Sequence, residues 1–157
     1  MEWTTIAATS LGAIIAMGST ILIENKKDRR GAASEWRSNR RELYGAFLAT
    51  LTQVRSELQL IILNSAQPES ERMTAARQAF AKCYELRYQL EVFAPRSVVE
   101  PALIYFRSMR QLRDAAIAGL QDGDTEYERI FPEVMAALES TRNAMRQDMG
   151  TDKLASE

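Results

Sequence analysis

The sequence predicts an all-α protein in which a single N-terminal transmembrane helix is followed by an antiparallel four-helix bundle. Two observations carry this prediction. Residues 3–23 hold no charged side chain, and the remainder of the chain repeats apolar residues at steps of three and four, the spacing of one helix face. We expect four parts, which are a transmembrane helix over 1–24, a basic juxtamembrane linker over 25–33, a helical bundle over 34–150 and a flexible tail over 151–157.

The first segment has the length of one bilayer crossing. From Trp3 to Ile23 there are 21 residues, about 32 Å as a helix, against a hydrocarbon core of about 30 Å. Glu2 precedes the segment, so the basic start of a secretory signal peptide is missing. An alternative is a helix buried in a soluble protein or covered by a partner, and the four Thr and two Ser of the segment keep that alternative open.

Charge is distributed unevenly along the chain. Residues 25–41 hold seven basic and two acidic side chains, whereas residues 42–157 hold 13 basic and 17 acidic ones. The positive-inside rule therefore predicts a single-pass protein of the cell membrane with its N-terminus outside and its bundle in the cytoplasm. Four residues are expected to contact the anionic inner leaflet of the lipid bilayer, and the same charges also set the topology: Lys26, Lys27, Arg29 and Arg30.

Small residues recur at every fourth position of the first segment, at Ala8, Gly12, Ala16 and Thr20. This spacing places them on one face of a helix and lets two transmembrane helices approach closely. A homodimer through this face is one expectation. The alternative is chance, because such patterns are frequent in alanine-rich segments.

The bundle begins with the longest apolar stripe. After a possible N-cap at Ser34, the stripe of the first helix is Leu43, Phe47, Leu51, Val54, Leu58 and Ile61. The turn residues of "NSAQPE", 64–69, end this helix. A second helix is expected from Ser70 to Phe93, with Met73, Ala76, Phe80, Cys83, Leu86, Leu90 and Phe93 facing inward, and Pro95 ends it.

Two capping-box patterns predict the starts of the third and fourth helices, at Ser97 to Glu100 and at Thr125 to Glu128. The third inward stripe is Val99, Leu103, Phe106, Met109, Leu112, Ala116 and Leu120. The fourth is Tyr127, Phe131, Val134, Leu138, Thr141, Met145 and Met149. Pro132 is expected to be absorbed near the start of the fourth helix, and Gly150 is expected as its C′ residue. Short connections make neighbouring helices antiparallel.

The composition excludes several kinds of catalytic site. The chain has no histidine and a single cysteine, Cys83, which removes Cys/His zinc sites, internal disulfides and every nucleophile that depends on histidine. Glycine-rich phosphate loops are absent, and no carboxylate pair has a spacing that suggests acid–base chemistry. We therefore predict no catalytic, cofactor-binding or metal residue, no cofactor, and no enzymatic activity.

Three further features have a functional and a structural interpretation. Cys83 lies on an inward stripe, and a buried inert thiol is favoured over a reactive one. The series Arg107, Arg110 and Arg113, with Arg96 upstream, either binds an anion or forms a solvated face on which Asp114 pairs with Arg110. Tyr84 and Tyr88 either stack on a base or pack against the bundle, and the acidic balance beyond residue 41 argues against nucleic acid.

The stretch "RSNRRELYGAFL", 37–48, contains Arg40, Arg41, Tyr44, Phe47 and Leu48 in the pattern R-R-x-x-Y-x-x-F-L. In this it resembles a set of uncharacterised small membrane proteins from actinobacteria, which have an N-terminal apolar segment, a basic stretch and this signature. The similarity covers roughly the first 60 residues and the pattern of four predicted helices. It implies an architecture and supplies no site residue.

The sequence leaves three functions open. The first is a membrane-anchored helical interaction or scaffold module that binds an unknown protein partner and has no catalytic activity of its own. The second is a small-molecule sensor or atypical enzyme with a pocket inside the bundle. Such a pocket needs polar residues that face inward, and Thr141 is the clearest of these. The third is a membrane-perturbing component of a phage-defence or mobile-element system.

Overall fold

The computed structural model describes residues 36–151 of the chain. The predicted membrane segment, the basic linker and residues 152–157 of the predicted tail lie outside the described residues. Over 36–151 the chain forms four α-helices and no strand: α1 over 36–63, α2 over Glu69–Phe93, α3 over Arg96–Ala118 and α4 over Thr125–Asp148. No helix within this part of the chain combines the length and the apolar character that a bilayer crossing requires.

The chain divides into two compact units between Asn39 and Arg40, and the contacts described below all lie in the second unit. In this unit the helices form an all-α bundle in which contacting helices run in opposite directions. Arg40 at the start of α1 is paired with Asp148 at the end of α4, and further along α1 Gln59 bonds to Tyr127 near the start of α4. The four helices enclose one apolar core.

The predicted face of α1 is confirmed in full. Each of its six apolar stripe residues is buried, from Leu43 to Ile61, and Tyr44 and Ile62 join them. A stripe of six residues over about five turns leaves only one face that can be buried, and for this reason its register follows from the sequence. Fully burying a large aliphatic or aromatic side chain contributes about 1.5–3 kcal/mol relative to exposure.

The predicted face of α2 is wrong at both of its ends. Arg72 is buried where Met73 was expected, and Phe93 is 45% exposed. The Arg72 guanidinium donates hydrogen bonds to three backbone carbonyls. Its Nε and Nη2 atoms both donate to Ile117 O, at 3.2 and 3.1 Å. Its Nη1 atom donates to Ser65 O at 2.9 Å and also to Gln67 O. The side chain therefore ties the turn after α1 to the last turn of α3, and these carbonyls replace water as its partners.

Gly119 lies directly against this contact. It has a φ of +95°, and a Cβ at this position would stand 3.1 Å from Nη2 of Arg72. The left-handed conformation satisfies the last turn of α3, since the N–H of Gly119 donates to Ala116 O and that of Leu120 to Ala115 O. Glycine is thus required at position 119 both for its conformation and for the space that it leaves.

The inward faces of α3 and α4 are confirmed in their central turns and shifted near their starts. In α3, Val98, Ala102 and Tyr105 are fully buried, whereas the expected Val99 and Leu103 are only partly buried. The first half of α3 is apolar on several sides, so its periodicity does not select one face.

In α4, Ile130 is buried instead of Tyr127 and Phe131. The latter two rings stack on each other at 5.4 Å between centroids, at the edge of the core. Each ring thus covers apolar surface of the other, which lets both remain partly exposed.

The two predicted capping boxes are wrong. The N-caps of α3 and α4 are Pro95 and Asp124, and neither helix start has a side-chain capping bond. Asp124 instead accepts a hydrogen bond from the backbone N–H of Gln121 at 2.8 Å, which closes the preceding turn. Pro132 is the eighth residue of α4 and does not end it.

Gly150 is confirmed as the C′ residue of α4. It has a φ of +72°, its N–H donates to Gln147 O, and the N–H of Thr151 donates to Arg146 O at 2.8 Å. These two bonds form a Schellman motif. The motif ends α4 next to Asp148, whose carboxylate pairs with Arg40 of α1.

Candidate functional site

The residues for which the sequence predicted membrane roles lie outside the described part of the chain. This holds for the four lipid-contact residues (Lys26, Lys27, Arg29, Arg30) and for the four helix-contact residues (Ala8, Gly12, Ala16, Thr20). Their roles remain predictions. The structure instead tests the candidates of the bundle and reveals sites that the sequence did not indicate.

The arginine series on α3 does not form one surface. Arg107 and Arg110 are exposed, whereas the Arg113 guanidinium lies over the Phe80 ring at 5.0 Å and donates to the Tyr84 hydroxyl at 3.2 Å. The predicted pairing of Asp114 with Arg110 is wrong, because Asp114 accepts from Nε and Nη2 of Arg113 at 2.9 and 2.7 Å. A cation held against aromatic rings has lost part of its water and gains most from a nearby carboxylate.

The two tyrosines on α2 have different environments. Tyr84 packs edge-on against Phe80 and Phe106, with centroids 5.8 and 5.4 Å apart, as a packing role requires. Tyr88, one turn later, is 58% exposed. They therefore do not form a shared stacking platform.

Cys83 is buried, as predicted. Burial raises the pKa of its thiol to about 11, and the charge of Glu57 contributes further. The thiolate is the reactive form of cysteine, so this environment disfavours reactivity at neutral pH.

Thr141 is the inward polar residue that the sequence indicated, and it is satisfied by backbone. Its hydroxyl lies 2.8 Å from Ala137 O and 3.1 Å from Pro101 O, and the second contact joins α4 to α3. Its single proton is therefore engaged by backbone carbonyls and is not available to a ligand.

Tyr105 carries a buried polar group that sequence reasoning missed. Its ring is fully buried, and its hydroxyl and Nε of Arg55 have no hydrogen-bond partner among residues 36–151. Burial raises the pKa of Tyr105 to about 12, and the Arg55 charge lowers it in part. Thr52 also lowers this pKa, although its side chain does not meet the geometry of a hydrogen bond to the phenol.

A pocket rich in arginine lies where the start of α1 meets the end of α4. Its volume is about 270 Å³, and we call it the arginine pocket. Its lining residues recur at helical spacing on one face of each helix: Arg41, Tyr44 and Leu48 from α1, and Arg142, Met145, Arg146 and Met149 from α4, with Thr151 beyond. Three guanidinium groups thus surround a floor of aliphatic and thioether side chains.

The carboxylate at this end of the bundle is already engaged. Asp148 accepts a hydrogen bond from the Tyr44 hydroxyl at 2.7 Å, and both of its oxygens lie 3.2 Å from Nη1 of Arg40. Nε of Arg40 also donates to Phe93 O. Burial, followed by the hydrogen bond and charge of Asp148, raises the pKa of Tyr44, so the phenol stays a donor. Asp148 is therefore paired with Arg40, and it forms no ion pair with Arg41 or Arg142.

The two ends of the bundle differ in charge. The end that contains Arg40, which we call the Arg40 end, consists of residues 40–47, 87–103 and 141–148. It holds six basic and four acidic side chains. The opposite Arg72 end, residues 57–76 and 112–131, holds three basic and eight acidic ones. The bundle is therefore positive at one end and negative at the other.

A second groove, of about 430 Å³, lies between α1 and α2. Its charged lining residues are one acid and one base, Glu57 and Lys82, and its polar amides belong to Gln53 and Gln78. One charge of each sign gives no net preference for an anion or a cation. The arginine pocket is therefore the more selective of the two.

The described residues contain no group of three or more Cys, Asp or Glu side chains arranged to hold a metal ion. Comparison of the chain with protein-family models, with curated proteins and with solved structures gives no match. The function is therefore inferred from the physical features of the chain alone.

Proposed function

We propose that the chain is a membrane-anchored helical interaction or scaffold module without catalytic activity of its own. In this proposal residues 1–24 cross the cell membrane with the N-terminus outside, and the antiparallel bundle stands at the cytoplasmic face. One structural observation carries the proposal, which is the charge difference between the two ends of the bundle. The chain enters the bundle at the Arg40 end, the positive one.

The physical reason is electrostatic. The cytoplasmic leaflet is negatively charged, and a basic residue near its surface gains on the order of 1 kcal/mol. An orientation with the Arg40 end toward the bilayer brings its positive charge close to that surface and keeps the eight acidic side chains of the Arg72 end away from it. The predicted contacts of Lys26, Lys27, Arg29 and Arg30 add to the same attraction.

A topology assay tests the anchor. A reporter that is active only after export, fused after Glu157, should remain inactive, and a cytoplasmic reporter should be active. Replacing the four basic linker residues by Gln should produce mixed orientations. The matched control replaces four exposed basic residues of the bundle by Gln, which are Arg77, Lys82, Arg107 and Arg110. An active exported reporter on the unaltered chain would reject the proposed orientation.

A protein partner is proposed to use the exposed apolar side chains of the bundle. Tyr88 and Val92, one turn apart on α2, are 58% and 73% exposed, and Ile104 on α3 is 54% exposed. An affinity pull-down of the full-length protein in detergent, compared with a Tyr88→Ser/Val92→Ser variant, tests this surface. A partner recovered equally by both proteins would place the interaction elsewhere.

The sensor alternative rests on two of the three buried polar atoms that have no hydrogen-bond partner among the described residues, the Tyr105 hydroxyl and Nε of Arg55. A polar ligand bound between them would supply the missing hydrogen bonds. Native mass spectrometry of the full-length protein distinguishes the two functions. A small molecule retained by the unaltered chain and lost from Tyr105→Phe would favour the sensor.

A further inference from the structure

We propose that the arginine pocket binds the phosphate of an anionic phospholipid. In this assignment Arg41 and Arg142 contact the phosphate oxygens, and the floor of Leu48, Met145 and Met149 contacts the glycerol and the first methylene groups of the chains. This deepens the proposed membrane function and rests on it, because it names the lipid group that the Arg40 end recognises.

The charge of the pocket is available to an external anion. Arg41 and Arg142 are exposed, and neither forms an ion pair with a residue of 36–151. Among residues 36–151 no carboxylate lines the pocket, and Asp148 is held by Arg40 and Tyr44 outside the lining. Planar guanidinium groups offer paired N–H donors that match phosphate oxygens, which makes arginine suited to this ligand.

The apolar floor selects an amphiphile over a free ion. Met145 is buried, and Leu48 and Met149 are partly buried. Inorganic phosphate would engage the arginines and leave this floor in water. A phospholipid carries methylene groups a few bonds from its phosphate, and each methylene removed from water adds to the binding free energy. Flexible methionine side chains adapt to such an irregular ligand.

The size and the depth of the pocket agree with a headgroup. A volume of about 270 Å³ is slightly below the usual range of small-molecule sites, so it accommodates a headgroup with its glycerol and not a whole lipid. Along α1 the pocket extends from Arg41 to Leu48, which is about 10 Å at the helical rise. The headgroup layer of one leaflet is about 5–8 Å thick. With the Arg40 end at the bilayer, Arg41, at the near end of the pocket, therefore lies within reach of the lipid phosphates.

The test uses the full-length protein in a non-ionic detergent, titrated with dihexanoyl phosphatidylglycerol and with dihexanoyl phosphatidylcholine. These probes have the same chains and differ in net charge. The unaltered protein should bind the anionic lipid more tightly. The Arg41→Gln/Arg142→Gln variant should bind it at least about 10-fold more weakly, because the loss of even one hydrogen bond between charged groups costs about one factor of ten. Arg107→Gln/Arg110→Gln is the control of equal charge change, on exposed residues of α3, and should leave the affinity unchanged.

Two further arms identify the ligand. Inorganic phosphate should not compete with the lipid at equal concentration, and Leu48→Asn should weaken lipid binding several-fold while circular dichroism shows the same helicity. Equal losses in the control and pocket variants, effective competition by phosphate, or an unchanged Leu48→Asn variant would each overturn the assignment. These measurements need no bilayer. Lipid binding can therefore fail while the topology assay supports the membrane anchor, and the topology assay can fail while lipid binding is observed.

Discussion

Arg72 is expected to be the largest single polar contribution to the stability of the bundle. Its guanidinium makes four hydrogen bonds to the carbonyls of Ser65, Gln67 and Ile117, and no carboxylate of residues 36–151 pairs with it. Bonds from a charged group contribute about 1.5–3 kcal/mol each. Burying the charge costs several kcal/mol, which a methionine of similar length does not incur. The expected loss for Arg72→Met is therefore about 2–4 kcal/mol.

Urea unfolding of the full-length protein in mild detergent, followed by circular dichroism, measures this loss. Arg72→Lys should lie between the Met variant and the unaltered protein, because an ammonium group cannot reproduce the planar fork that reaches Ile117. Arg77 on the same helix is exposed, and Arg77→Met should change the free energy of unfolding by less than about 0.5 kcal/mol. If Arg72→Met unfolds at the same urea concentration as the unaltered protein, the carbonyl contacts do not stabilise the fold.

Gly119→Ala should destabilise the bundle by about 1–3 kcal/mol through its positive φ and the tight contact that its Cβ would make. Gly45→Ala, in open space on α1, should stabilise it by about 0.5–1 kcal/mol, and thermal unfolding that ranks the pair the other way would contradict both accounts. Tyr105→Phe should raise the free energy of unfolding by about 1 kcal/mol, since it removes a buried hydroxyl without a partner, and a loss of stability would indicate a hidden partner. Stability should also fall at alkaline pH, because the folded pKa values of Cys83, Tyr44 and Tyr105 lie above their ordinary values of 9.0 and 10.0, so the unfolded chain releases these protons first. The fall in stability should begin above pH 9, where the unfolded cysteine ionises, and steepen above pH 10, where the unfolded tyrosines ionise. Each group contributes at most about 1.4 kcal/mol per pH unit. In urea titrations across pH, Cys83→Ala should remove the fall between pH 9 and 10.

The sequence was most informative where periodicity was long and unambiguous. The face of α1 followed from six apolar residues in one stripe, and the turn after it followed from its Asn, Ser and Pro. The start of α3 was predicted poorly, because adjacent apolar residues such as Val98 and Val99 allow two faces, and contacts with the other helices choose between them. The predicted inward face of α2 did not include Arg72, because a charged side chain is rarely buried, and its carbonyl partners in the turn after α1 and in α3 come together only in the folded chain.

The arginine pocket was not predicted because its cations come from opposite ends of the chain. Arg41 and Arg142 belong to separate helices and become neighbours only when α1 and α4 pack in opposite directions. The spacing of Arg142 and Arg146, four residues apart on the same helix, was the available signal. Combining this spacing with the predicted antiparallel order would have indicated the pocket, because that order places the start of the first helix beside the end of the fourth.

The contact between Arg40 and Asp148 also bears on how the chain folds during its synthesis. These residues are separated by 108 positions, and translation at about 5–20 residues per second leaves an interval of about 5–20 s between them. Throughout that interval α1 has no fourth helix to cover it, and Leu43, Phe47 and Leu51 need another apolar surface. A chaperone, or in the proposed arrangement the membrane, can supply that surface until the bundle closes.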